Sequence, residues 1–481
     1  MLHRILILAF IALSSPAYAQ TGSVAKINLQ DFDFVVAKIT ANYAGFDTKV
    51  TDATRPSLTA LTQRLRVQVP TASDAEMESI LREWVGFFQD GHTHVTYSTG
   101  ASRSNAAPRR APWTEPQLRQ RLLSLGNNRD PVEGIWRIGG GRYRVGVLRT
   151  DTKPEAFTAV VLSTTAEGWA PKDVKAEIRR GSVGYSVVYR AGDRSVRILS
   201  ARLASDDAVL DLGHEYGVWM REWPAVANAD ALTREWPADE LGLTRLSVST
   251  WWLRIPDFGD DRAKPLRELV AQHEADFASA QNLLIDLRNN AGGSDYVYQP
   301  LLPLLYTRPI YSIDVEMRSS PDNILLRQQV AELLRKDNPE GAALLEAQNL
   351  AMAAHPGAYI QPEARPFSAY VAPVVRPSPR HIAVLIDGAA STGEQFILDA
   401  RQSRKVTLFG YGNSAGILDY ANVVAMTSPS GRVHLQWATS RSLRLPDDPV
   451  DPNGVAPDIV IPQSERDPVS YVQAWLERQV D

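Results

Sequence analysis

The sequence predicts an α/β protein in which a core of alternating strands and helices follows a helical segment and a β-rich middle region. Three observations carry this expectation. Apolar strand-like runs alternate with helical patterns from about residue 240 to 465. Short alternating runs separated by turn residues fill 130–225, which suits an antiparallel barrel or sandwich. Met77, Ile80, Leu81, Trp84, Val85 and Phe88 recur at three- and four-residue steps, the mark of a helix with one buried face.

Taken in order, the chain opens on a pattern that reads as an export signal over residues 1–19. Arg4 supplies positive charge, Ile5 to Leu13 an apolar stretch, and Ala17-Tyr18-Ala19 a small-x-small site, with cleavage expected after Ala19. The apolar run is shorter than the roughly 18 residues that span a bilayer. No later segment qualifies as a span, so no membrane span is expected after cleavage. Residues 20–100 form the helical segment, clearest at Ser73 to Gln89, where Ser73 or Asp74 can cap the start. Residues 101–129 are expected to be a linker, since 101–115 hold Ser, Asn, Pro and Arg without periodicity. Within the β-rich module, Tyr143–Leu148, Ala159–Leu162, Val174–Ile178 and Tyr185–Tyr189 read as strands, and Gly139-Gly-Gly141 as a hairpin turn. In the core, Trp251–Ile255 and Leu283–Leu287 read as strands, with a helix carrying Leu266, Leu269, Val270 and Phe277 between them. Helices at 322–336 and 339–353 precede a strand at Ile382–Ile386, and 466–481 closes the chain as a helix.

Composition narrows the function classes. Of 481 residues, 44% are hydrophobic, enough for large packed cores. The net charge of −4 gives no footprint for nucleic acid. There are no cysteines, so disulfides, thiolate metal sites and a cysteine nucleophile are excluded. An exported chain of this composition suits the periplasm of a Gram-negative bacterium.

The residues with chemical potential are few. Ser391 falls between a buried strand and a helix start, where its hydroxyl projects from a tight turn beside backbone N–H groups such as that of Thr392; read alone, it also suits a helix cap. Ala291-Gly292-Gly293 ends another strand, and its glycines can bring bare backbone N–H groups to an oxyanion or simply make a turn. His92 follows the amphipathic helix in Asp90-Gly91-His92-Thr93-His94. A histidine is the usual base for a serine. The His92/His94 pair could instead begin a metal site, but the other histidines are scattered singly and no metal or organic cofactor is expected.

These segments together resemble the carboxyl-terminal processing and tricorn-core serine peptidases. The resemblance rests on Leu284-Ile-Asp-Leu-Arg-Asn-Asn-Ala-Gly-Gly293, Ala390-Ser-Thr-Gly-Glu-Gln-Phe396, Gly412-Asn-Ser-Ala-Gly-Ile-Leu-Asp-Tyr420, Gly454-Val-Ala-Pro-Asp-Ile459 and Asp90-Gly-His-Thr93, in that family's order. It covers about 30–95 and 240–465. It implies a crotonase-like core, hydrolysis of peptide bonds, and a peptide or protein substrate. One branch of the family activates its serine with a downstream lysine. Here the sole lysine after Ser391 is Lys405, too near in sequence, and Ser414-Ala-Gly-Ile417 stands where the lysine would fall. The histidine-using branch is therefore implied, with His92 as base. Asp451 occupies the place of its acid, with Glu394, one turn after the serine, as the alternative. Gly292 or Gly293 with Thr392 would form the oxyanion site. Tricorn-like relatives carry a serine beside the histidine where this chain has Gly91. The 130–225 module replaces the usual PDZ module. A non-catalytic peptide-binding scaffold and an esterase using the same pair are the alternative functions.

Overall fold

The computed structural model describes residues 24–97, 109–138, 142–150, 153–181, 184–192, 194, 196–204, 207–212, 217–225, 240–336, 338–361, 366–462 and 464–479. The expected export signal and the Gly139–Gly141 turn lie outside them. The chain divides into two compact units, residues 1–97 with 241–481, and residues 98–240.

The first unit is built on a six-stranded sheet in the order Gly242–Arg245, Thr250–Arg254, Asn282–Asp286, His381–Leu385, Val406–Gly410 and Ile459–Val460. The first pair is antiparallel and all the others are parallel. Parallel neighbours need crossover connections, and Ala263–Gln272 and Thr392–Ala400 are helices in two of them. The central strands are apolar throughout because both faces are covered. Leu283 and Ile285 pack with Phe258, Phe277 and Phe396, whereas Leu284 packs with Phe409, Val469 and Val472. The helix expected across Leu266 and Phe277 is two helices, Ala263–Gln272 and Glu274–Ser279, interrupted at His273.

The helical segment folds with this core rather than apart from it. Helices Val24–Asn42, Arg55–Gln68 and Asp74–Gly86 bury Phe32, Ile39, Leu65, Trp84 and Phe88 in one cluster with Val433, Leu435 and Trp437. Those last three lie on Val433–Ser442, a strand of a second sheet. The segment also ends in a strand, not a helix. His94–Tyr97 pairs antiparallel with Val433–Gln436, so the chain leaving the Asp74–Gly86 helix is pinned to the core just beyond His92.

The second unit is a closed antiparallel barrel of eight strands: Gly134–Ile138, Tyr143–Thr150, Lys153–Thr164, Val174–Arg180, Tyr185–Arg190, Val196–Ala204, Val209–Asp211 and Val218–Trp223. An eight-stranded barrel is just narrow enough for side chains to fill. Trp136, Val145, Val147, Phe157, Val187, Leu210 and Trp219 do so. The stretch expected as linker contains a helix, Glu115–Leu125, whose Leu118 and Leu122 pack with Ile135 and Leu148. Its start was legible in Thr114-x-x-Gln117, where the Thr114 N–H donates to Gln117 Oε1 at 2.8 Å.

Candidate active site

Ser391 stands between the strand His381–Leu385 and the helix Thr392–Ala400. Its backbone has φ 54° and ψ −117°, a left-handed conformation that costs a non-glycine residue on the order of 1–3 kcal/mol. The surroundings hold it there. The Ser391 N–H donates to Glu394 Oε2 at 3.2 Å, and the Ala390 N–H to the Asn290 carbonyl at 2.9 Å. The side chain is nearly buried.

His92 reaches Ser391 from the other end of the chain. Its Nε2 lies 3.0 Å from Ser391 Oγ, across 299 positions of sequence. Asp90 shapes the loop that carries it. Asp90 Oδ1 accepts the His92 N–H at 2.9 Å, and Oδ2 accepts Thr93 Oγ1 at 2.7 Å. Gln436 Nε2 donates to the His92 carbonyl at 3.1 Å. Both His92 and Ser391 belong to the first compact unit, so the pair requires no docking of a separate helical domain.

Gly91 explains the missing serine beside the histidine. A Cβ there would come within 2.3 Å of Ile417 Cγ2, so a larger residue requires Ile417 or the loop to shift. Ile417 is held in turn by Glu394. That carboxylate is fully buried and accepts four donors: Ser414 Oγ at 2.5 Å and Gly416 N at 2.7 Å on Oε1, Ile417 N at 2.9 Å and Ser391 N on Oε2. Burial raises its pKa, and the Ser414 hydroxyl and these N–H groups oppose the rise. The network ties the nucleophile turn to the 414–417 loop and, through Ile417 and Gly91, to the histidine. It leaves Glu394 no free lone-pair direction for His92.

Asp451 is different. Its Oδ1 accepts the N–H groups of Leu418 at 2.6 Å and Asp419 at 2.9 Å, while Oδ2 is buried with no partner among the described residues. His92 Nδ1 is likewise buried and unpartnered among them. Burial, with the charges of Asp419 and Asp90, pushes the Asp451 pKa up to about 7 against the pull of the N–H donors. Asp419 holds Asp451 in place, accepting the N–H groups of Val450 and Asp451 on Oδ2 and pairing with Arg444 at 2.9 Å on Oδ1. Asp90 and Asp419 were not singled out from sequence. Both lie inside motifs that were, and their roles depend on backbone N–H groups that composition does not reveal.

The glycine loop packs directly against Ser391. Gly292 has φ +79°, and a Cβ on it would lie 2.8 Å from Ser391 Cβ and 3.2 Å from Thr392 N. The Gly292 N–H is already donated to Asn290 Oδ1 at 2.9 Å. Among the described residues, the Gly293 and Thr392 N–H groups have no acceptor. Thr392 Oγ1 donates to the Gly293 carbonyl at 2.8 Å, tying the two together. Lys405 is engaged elsewhere, its Nζ donating to the Arg376 carbonyl at 2.6 Å. No group of three or more His, Cys, Asp or Glu suited to a metal occurs among the described residues.

Residues 250–461 match the model of peptidase family S41. By that family the protein is a serine-type peptidase, a hydrolase acting on peptide substrates. Among solved structures it is similar to mature CPAF complexed with lactacystin, at 14% identity and a TM-score of 0.47, over 95% of this chain and 97% of that one. It is also similar to a photosystem II D1 C-terminal processing protease, at 12% identity and a TM-score of 0.35, over 91% and 93% of the two chains. No helix among the described residues is long and apolar enough to cross a membrane.

Proposed function

We propose that this S41 peptidase cleaves peptide bonds with Ser391 as nucleophile, His92 as general base and Asp451 as the acid behind the imidazole. The 3.0 Å contact between His92 Nε2 and Ser391 Oγ carries the reading. With the imidazole proton on Nδ1, Nε2 accepts the Ser391 proton as Oγ attacks the carbonyl carbon. It then returns that proton to the leaving amine, and water repeats the sequence on the acyl-enzyme. The N–H groups of Gly293 and Thr392, which have no acceptor among the described residues, would receive the developing oxyanion. Loss of one such donor costs about 3–4 kcal/mol of transition-state stabilisation.

Asp451 is assigned over Glu394 because its Oδ2 is buried and unpartnered, as is His92 Nδ1, whereas Glu394 is saturated by four donors. An ionised Asp451 fixes the imidazole tautomer and offsets its transient charge. The core is read as crotonase-like from the same motifs. Export to the periplasm is proposed from Arg4, the Ile5–Leu13 stretch and Ala17-Tyr18-Ala19; a mature chain beginning at Gln20 in a periplasmic fraction would support it.

The deciding experiment treats wild type and Ser391→Ala with a fluorophosphonate probe and a panel of peptide and ester substrates. Labelling and peptide cleavage by wild type, both lost in a folded Ser391→Ala variant, are expected. Peptide cleavage that persists in the variant refutes the nucleophile. An unlabelled wild type that binds but does not cut would indicate a non-catalytic scaffold.

A further inference from the structure

The barrel unit carries a groove of about 510 Å³, within the roughly 300–1,000 Å³ of ligand sites. Arg109, Arg110, Arg121 and Arg149 line it, and among the described residues no carboxylate does. Its other walls are Trp113, Gln117, Thr150 and Thr158, with Leu148 and Val174 buried beneath. One wall is fixed by a strand-like edge: the Ala111 N–H donates to the Lys172 carbonyl and the Val174 N–H to the Arg109 carbonyl, each at 2.9 Å.

The charge of the whole unit has the same sign. Residues 98–240 hold 21 Lys and Arg against 18 Asp and Glu, a net of +3, while the rest of the chain is net −7. Eighteen of those 21 cations are arginines, the side chain whose planar fork matches a carboxylate. Arg149 is committed to Glu133 at 2.8 Å. Arg109 is not held as firmly. Its side chain is 67% exposed, and its carboxylate partner among the described residues, Glu177, is itself 36% exposed. Exposed pairs of this kind contribute little, so an incoming carboxylate can replace Glu177 at small cost. Arg110 is 57% exposed and 3.6 Å from Asp173.

We propose that this groove binds an acidic stretch of a polypeptide, with Arg109 and Arg110 receiving its carboxylates and the Trp113 face its aliphatic parts. Gln117, Thr150 and Thr158 supply the donors and acceptors that a peptide backbone needs and a simple anion does not. The proposal deepens the peptidase reading by naming a substrate class, polypeptides carrying an Asp/Glu-rich segment.

The test uses the full chain with Ser391→Ala, a dye-labelled Glu-rich peptide, and its Gln-substituted counterpart, read by fluorescence anisotropy with peptide integrity checked by mass. The acidic peptide should bind at least about tenfold more tightly, a difference of about 1.4 kcal/mol, and the preference should shrink as salt is raised. Adding Arg109→Ala with Arg110→Ala should remove the preference. Arg202→Ala, an exposed barrel arginine outside the groove, should retain it. Equal binding of the two peptides, or an unchanged preference in a folded Arg109→Ala/Arg110→Ala protein, would overturn the proposal. So would arginine-dependent binding of phosphatidylglycerol vesicles without any peptide preference. Binding is read on uncleaved peptide, so a failure of the proposed catalytic assignment would appear in the hydrolysis assay and leave this result standing.

Discussion

Asp451→Asn and Glu394→Gln should move stability in opposite directions at alkaline pH, although both replace a buried carboxylate by an amide. Asp451 has its pKa raised to about 7 by burial, from near 3.8. A group raised in the folded state contributes stability below its unfolded pKa and loses it as pH climbs through the folded value. Wild type should therefore lose stability between about pH 4 and 7, by at most about 4 kcal/mol for three units. Asparagine keeps the oxygen that accepts from Leu418 and Asp419, and its NH₂ replaces an oxygen with no partner. At pH 8 the variant should be at least as stable as wild type. Glu394 has four donors on two oxygens. Glutamine retains one accepting oxygen and turns an NH₂ against two of those donors. Two hydrogen bonds to a charged acceptor contribute roughly 1.5–3 kcal/mol each, so a loss of about 3 kcal/mol is expected after partial relief of the buried charge. Urea unfolding at pH 5 and pH 8, with kcat/KM measured beside it, tests the pair. Asp451→Asn should lower kcat strongly without a stability loss at pH 8. An Asp451→Asn protein with wild-type kcat, or a Glu394→Gln protein as stable as wild type, would refute the division of labour between the two acids.

Other expectations follow from the same geometry. In wild type, kcat/KM should rise with pH through about 7 as Asp451 ionises; a steeper rise in wild type than in Asp451→Asn is the expected pattern, and identical profiles would contradict it. Gly292→Ala puts a Cβ 2.8 Å from Ser391 Cβ at φ +79° and should abolish fluorophosphonate labelling, alongside a stability cost of about 1–2 kcal/mol from the left-handed backbone. Gly91→Ser should reduce kcat rather than restore a relay, since the new Cβ meets Ile417 at 2.3 Å and displaces the His92 loop; a gain in activity would contradict this. Lys405→Met should leave peptide hydrolysis near wild type, because Lys405 Nζ is spent on the Arg376 carbonyl.

Much of the site was legible because local chemistry wrote it into short segments. A serine between a strand and a helix, glycines at the end of a strand, and a histidine just past an amphipathic helix are all patterns set by a few neighbouring residues. The barrel strands were legible for the same reason, through alternation. What composition obscured was anything depending on which backbone N–H groups meet which carboxylate. In sequence Asp451 stood in the place of the acid with Glu394 as the alternative. Four donors around one and an empty oxygen on the other separate them.

The sequence by itself determined the order of elements and the absence of thiol chemistry, because periodicity and residue type are local properties, and its resemblance to a peptidase family singled out the candidate nucleophile and base. Tertiary structure alone decided that His92 and Ser391 share one compact unit. It also decided that Gly293 rather than Gly292 has an N–H without an acceptor among the described residues, and that His94–Tyr97 is a strand. Each of these turns on a contact between residues far apart in the chain, such as Val95 with Leu435, and such contacts form only when burial of a shared core brings the segments together.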